Sequence, residues 1–306
     1  MIKQIACGRR KPEMTRKEYN DHRFQVHGRL SDGPSRDVCP MWAAQDCPFY
    51  KWNHIINAQL SPRKYIQTPI FDAAFGARPG GLNLNHPWVG RDDVTELYFR
   101  DMKHLQHVFN SEYVKTTIGP DGLLFADFEA TMVLMAKEYA VPLLTKSEPT
   151  ANEGFGTVAT YFVATKDNQR DGATLRSNVE NVFLQALQEN SSGEIYKAEV
   201  NVGFVSSEFD LNSYFGGSNM PQYALVYKLF MKDTKSVPSI RRAQKAFEKI
   251  VDNAIDISTS FIVFGKEALV MDYDKDILVC NILILVLTVI TLLQSWNLDW
   301  HCHSNV

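Results

Sequence analysis

The chain carries one order of structural elements twice. In residues 1–145, residues 2–9 are apolar enough for a short strand. Thr15-x-x-Glu18 is a capping box that opens a helix running to about residue 30. Tyr19, Arg23, Val26 and Leu30 recur on one helical face and are predicted to point inward. Residues 51–60 (KWNHIINAQL) and the alternating run 94–99 (VTELYF) read as strands. Asp101 caps a helix carrying Met102, Leu105, Val108 and Phe109, and residues 131–136 form a fourth strand. The order is βαββαβ. A polar stretch at 145–154 follows, and residues 155–272 repeat the order. Strands fall at 157–164, 196–205, 223–231 and 257–264, with helices at 173–189 and 239–253.

A βαββαβ unit is a ferredoxin-like sheet of four antiparallel strands with two helices on one face. The fold class is therefore α+β. The other face of each sheet is apolar and must be covered, and the second half is the economical cover. Two halves packed sheet to sheet give a barrel-like body, and a ligand cavity is expected between the sheets.

Residues 277–296 (ILVCNILILVLTVITLLQSW) depart from this rhythm. Fifteen of these twenty residues are apolar and none is charged. A helix of that length spans about 30 Å, the thickness of a bilayer core. The segment reads as an apolar C-terminal helix and a membrane anchor. A buried core helix, or a segment foreign to the native chain, are the alternatives. The flanking charges give no orientation.

With 45% hydrophobic and 22% charged residues and a net charge of −3, the chain lacks the basic surface of a nucleic-acid binder. Five cysteines without a CxxC pair signal neither a disulfide framework nor a zinc site. A reducing, cytoplasmic setting is expected, and no secretory leader is read at the start. The sequence contains no GxGxxG at a strand–helix junction, no GxxxxGK[ST], no GxSxG and no HExxH. Nucleotide cofactors and serine hydrolysis therefore lack support.

The stretch RRKPEMTRKEYNDHRFQVHGRLSD (9–32), with Arg9 to Tyr19 and then Val26-His27-Gly28, resembles the EthD family's turn, cap and helix ending in VHG. Residues 96–138 resemble the family's ELxF strand, its FxSxEY helix end and its Asp-containing turn before the last strand. Together these cover about residues 2–140; the second half resembles the family in layout only. The resemblance implies the dimeric α/β-barrel superfamily, here fused in tandem as a pseudo-dimeric barrel. It also implies cofactor-free decarboxylation or dehydration of aromatic polyketide-like molecules. Monooxygenases, isomerases and haem enzymes also occur in the superfamily. The residues at 61–91 read as a long insertion relative to the family.

All eight histidines lie at 22, 27, 54, 86, 104, 107, 301 and 303, so the second half has no imidazole. Tandem haem barrels place their axial histidine there, which argues against that cofactor. No cofactor and no metal are expected. His27 is the leading catalytic candidate, because an imidazole changes charge near neutrality. It lies at the edge of the inward stripe, and Gly28 after it is expected to end or distort the helix. A histidine answering the helix dipole is the plain alternative. His54, in an apolar strand, and Glu96, whose carboxyl burial would raise, are the assisting candidates. Tyr19, Trp52, Tyr98 and Phe99 are candidate substrate contacts for a flat apolar molecule. His104 and His107 read as surface residues, and Asp121 and Asp127 as turn residues. The predicted activity is general acid/base chemistry on a hydrophobic small molecule; oxygen insertion is the runner-up. A membrane-tethered ligand carrier and a solid-cored interaction module are the other readings. The fused halves are compatible with a monomer or a homodimer.

Overall fold

The computed structural model describes residues 1–31, 59–77, 86, 88–143, 147–152, 154–215, 220–275 and 277–278. The first half contributes β1 (Ile2–Gly8), β2 (Lys64–Phe75), β3 (Asp93–Phe99) and β4 (Met132–Ala140). The second contributes β5 (Thr157–Val163), β6 (Ile195–Gly203), β7 (Leu225–Met231) and β8 (Phe261–Lys266). The spatial order is β2-β3-β1-β4-β6-β7-β5-β8, and β8 pairs back onto β2. Every pairing is antiparallel.

This is an eight-stranded closed barrel, and its two halves are stitched edge to edge. At one seam Ala136 to Ala140 of β4 run against Gly203 to Glu199 of β6. At the other, Ile70 to Phe75 of β2 run against Gly265 to Phe261 of β8. Closure satisfies the edge strands that an open sheet leaves bare. β2 reaches both neighbours because it bends: a bulge falls between Ile70 and Asp72, next to Pro69. Its first half lies between β3 and β9 (Ala268–Asp272), and a two-residue strand β10 (Ile277–Leu278) pairs with β9.

The second seam requires a glycine. A Cβ on Gly265 would stand 2.4 Å from Thr68 Cγ2 and 2.7 Å from the Pro69 carbonyl oxygen. Gly265→Ala is expected to cost about 1–3 kcal/mol by overpacking. Chemical denaturation checks this; an unchanged midpoint would mean that the seam can part without cost.

Two corrections concern the strands. The second strand, expected at 51–60, is β2 at Lys64–Phe75, inside the stretch read as an insertion. Residues 51–58 lie outside the described residues, while Gln59 and Leu60 are helical. The last strand starts at Phe261 rather than 257, because Asp256 accepts bonds from Ser258 and Thr259 and holds a turn there. The remaining strands and both second-half helices stand close to expectation. Of the apolar tail, Ile277 and Leu278 are strand, and the rest lies outside the described residues. Among the described residues, no helix is long and apolar enough to cross a membrane.

Among the described residues, apolar side chains of both halves meet inside the barrel, and the cavity described below lies on its helix side rather than between the sheets. Ile5, Cys7, Val94, Met132 and Leu134 from the first half meet Phe162, Val226, Phe261 and Val263 from the second. Beside them lies a buried ionic cluster. Lys3 pairs with Glu96 (2.5 Å) and Glu138 (2.7 Å), and Lys228 pairs with Glu96 (2.5 Å) and Glu267 (2.5 Å). Both halves supply charges to it, so it forms only when the barrel closes.

Outside the barrel, α5 (Ala173–Ser191) and α7 (Val237–Val251) cover the second half. Phe183 and Phe247 of these helices meet Tyr161 and Tyr227 of the sheet at tilted and T-shaped ring contacts and fill that space. The first half is covered by shorter pieces: α1 (Arg16–Asp21), a π-helical segment His22–His27, α2 (Gly28–Leu30) and α3 (Met102–Phe109). A second π-helical segment, Val114–Ile118, leads into α4 (Gly119–Phe125). These pieces do not fill the space beneath them.

Candidate active site

A cavity of about 600 Å³ opens between the outer face of β1 and β3 and these helices. Alternation along a strand decides which residues can reach it. On β3 the wall residues are Asp93, Thr95, Leu97 and Phe99; on β1 they are Gln4, Ala6 and Gly8. The intervening Glu96 and Tyr98 point the other way, into the barrel. Val108 and Phe109 of α3, Val114 and Phe125 make the opposite wall apolar. The second half also contributes. Tyr214 and Phe215 of α6 (Leu211–Phe215) line the cavity, both at T-shaped ring contact with Phe109.

One end of the cavity is a polar frame. The Tyr19 hydroxyl donates to Asp93, and Arg23 pairs with Asp93 (2.5 Å) and donates to Thr95. Gln67 Nε2 donates to the Tyr65 hydroxyl (2.7 Å) and to the Arg23 carbonyl (3.0 Å). Gly8 leaves room for this frame, since a Cβ there would stand 2.6 Å from Asp93 Oδ1. Burial and the Asp93 charge push the Tyr19 phenol well up. Burial works against the charged form of Arg23, but Asp93 together with Tyr19, Tyr65 and Cys7 outweighs it, and the guanidinium is held more firmly protonated. The frame is thus an anchored set of donors whose protons stay in place near neutral pH.

His27 sits on the cavity wall, apart from that frame. Its Nδ1 lies 2.8 Å from Asp121 Oδ2, and His22 Nε2 lies 2.9 Å from Asp121 Oδ1. The Phe125 ring packs against both imidazoles, with centroids at 5.0 Å and 5.2 Å. Burial raises the Asp121 carboxyl, but the bonds from His27 and His22 outweigh it and hold it below the usual carboxylate range. An ionised Asp121 accepts a hydrogen bond from Nδ1–H, which leaves Nε2 of a neutral His27 as the basic nitrogen. The backbone makes this possible. In π-helical winding, i→i+5 bonds replace i→i+4 ones, so residues five apart share a face. His22 and His27 are such a pair, and they meet one carboxylate.

Of the sequence-derived candidates, His27, Tyr19 and Phe99 line the cavity. His54 and Trp52 lie outside the described residues. Glu96 and Tyr98 are corrections. Burial alone would raise the Glu96 carboxyl, but Lys228 and Lys3 outweigh it and hold it at about 2. A carboxylate so held is no proton donor near neutrality. Tyr98 donates to Glu138 (3.2 Å) and Glu96 (3.4 Å) inside the barrel. Gly28 does not end the helix, for its φ is −59°, but the winding changes there from π to α; it admits Val270, whose Cγ1 would be 3.2 Å from a Cβ there. His104 is buried against Phe99, not on the surface. Asp121 belongs to the first turn of α4 rather than to a loop. Among the described residues, no three or more His, Cys, Asp and Glu side chains gather as a metal site.

The family model for the EthD domain matches residues 50–129. That stretch of the chain is therefore similar to an EthD domain. The matched stretch holds β2, β3, α3 and α4, and with them Asp93, Thr95 and Asp121. No curated protein matches the chain in sequence. Among solved structures, an anthrone oxidase-like protein is similar at 9% identity, with 87% of this chain and 90% of that one covered and a TM-score of 0.47. A candidate monooxygenase from Fusobacterium nucleatum is similar at 8% identity, with 87% and 91% covered and a TM-score of 0.42. A chlorite dismutase from Candidatus Nitrospira defluvii is similar at 8% identity, with 87% and 90% covered and a TM-score of 0.40.

Proposed function

We propose that this chain is an enzyme that moves protons on a flat, hydrophobic, aromatic small molecule held in the helix-side cavity. One observation carries the reading: an imidazole fixed by a carboxylate stands on the wall of a largely apolar chamber. His27 Nε2 is the acid/base, and Asp121 is the positioning residue that sets its tautomer. Tyr19 and Arg23, bonded to Asp93, give the cavity one polar end that holds its shape beside the substrate. Decarboxylation, dehydration and cyclisation of aromatic, polyketide-like intermediates all need such a proton relay. The second half closes the barrel and adds Tyr214 and Phe215 to the wall.

Untargeted metabolite comparison of cells with and without the gene tests the proposal. An aromatic compound is expected to accumulate without it, and purified protein should convert that compound without taking up oxygen. Stoichiometric oxygen uptake would make oxygen insertion the reaction. Accumulation of a charged, non-aromatic metabolite alone would contradict the proposed substrate class.

Thr95→Trp is expected to block the cavity. Thr95 is half-buried on the floor, and an indole there fills volume that a bound ring would need. Conversion should fall below detection while circular dichroism remains that of the native fold. Undiminished conversion would move the substrate elsewhere.

A further inference from the structure

One residue on the cavity wall carries a polar atom that has no partner among the described residues. Gln4, near the middle of β1, is 1% exposed, and its Oε1 receives no hydrogen bond. The side chain shares the helix-side face with Ala6 and lines the cavity. Leu97 stands opposite it on β3 and Met135 opposite it on β4. The amide therefore has apolar side chains opposite it on both neighbouring strands. The polar groups of the frame differ, because Tyr19, Arg23, Asp93 and Thr95 satisfy one another.

A buried acceptor without a donor destabilises the fold that holds it, whereas an apolar residue of similar size would not. A glutamine at this place makes physical sense if what enters the cavity brings the missing donor. Resting on the function proposed above, we infer that Gln4 is a specificity-determining residue whose Oε1 accepts a hydrogen bond from a ring hydroxyl. The substrate class narrows to hydroxylated aromatics, phenols or naphthols, over the hydrocarbon or its methyl ether. Sites built to bond a hydroxyl reject analogues lacking it more strongly than apolar pockets reject an extra methylene.

The test uses 1-naphthol and 1-methoxynaphthalene as probes, titrated calorimetrically into the full chain and into Gln4→Met. Methionine keeps roughly the volume and removes the amide. The wild-type protein is expected to bind the naphthol about tenfold more tightly than the ether. Gln4→Met is expected to lose that preference and to bind the ether at least as well as wild type does. Equal affinities in the wild-type protein, or an undiminished preference in Gln4→Met, would overturn the role of Gln4 and leave the cavity reading standing. Binding of neither probe to the wild-type protein would overturn the cavity reading and the role of Gln4 with it. Should Gln4→Met fail to fold, Gln4→Leu serves, because it also removes the amide and must lose the preference for the naphthol; an undiminished preference overturns the inference.

Discussion

Glu96→Gln is expected to destabilise the protein by about 3–5 kcal/mol, the usual cost of removing one charge from a buried ion pair. The carboxylate is 2% exposed and lies 2.5 Å from both Lys3 and Lys228. An amide fills the same space but leaves two buried ammonium groups short of compensation. Lys3 comes from the first half and Lys228 from the second, so the loss falls on barrel closure itself. Denaturant unfolding checks this. A change below about 1 kcal/mol would mean that the interior is wetter than the geometry says. Glu138→Gln is the control, because that side chain is 30% exposed and a smaller loss is expected there.

The same group sets a pH dependence. Its folded value of about 2 lies below the ordinary 4.5. A depressed carboxyl stabilises the fold fully above its unfolded value, and the contribution is lost as pH falls through the folded one. Stability is therefore expected to drop between about pH 4.5 and 2, more steeply in wild type than in Glu96→Gln. Parallel slopes would contradict an ionised Glu96 in the native barrel. Any Glu96 variant that still folds is expected to keep its turnover, since the residue faces away from the cavity.

His27→Ala is expected to reduce turnover of the accumulating metabolite by about 10²–10⁴-fold, the range for loss of a general acid/base. The side chain is 16% exposed, on a cavity wall rather than in a core, so the thermal midpoint should change little. Asp121→Asn is expected to lower kcat less than His27→Ala while leaving KM in place, because it disturbs the tautomer and not the substrate contacts. His22→Ala leaves the His27–Asp121 bond standing and is expected to be milder still. The order of the three variants is diagnostic. If His22→Ala proves as severe as His27→Ala, the pair acts structurally; if His27→Ala retains full turnover, His27 has no part in the chemistry.

The second half was legible because its patterns run without interruption. Leu175, Val179, Phe183 and Leu187 keep helical spacing, and all four are buried under the helix as that spacing requires. In the first half, β2 was hidden by Pro69, which marks a run as edge or loop. Here it sits where the strand leaves β3 for β8, and the bend is what closes the barrel.

The site was harder to read for two physical reasons. The first is parity. Phe99 belongs to the cavity face of β3, so Asp93, Thr95 and Leu97 follow by twos; choosing Glu96 and Tyr98 beside it mixed the two faces. The second is winding. At 3.6 residues per turn His22 and His27 fall on different flanks, and only π-helical bonding brings them together on Asp121. Asp121 itself stands in Gly119-Pro-Asp-Gly122, which reads as a turn yet starts a helix with proline in its first positions.

The most direct test of the account is a crystal structure with the accumulating metabolite bound. The molecule is expected between β1, β3 and α3, with its reacting atom within about 3.5 Å of His27 Nε2. Density inside the barrel, or on a surface remote from that imidazole, would contradict it.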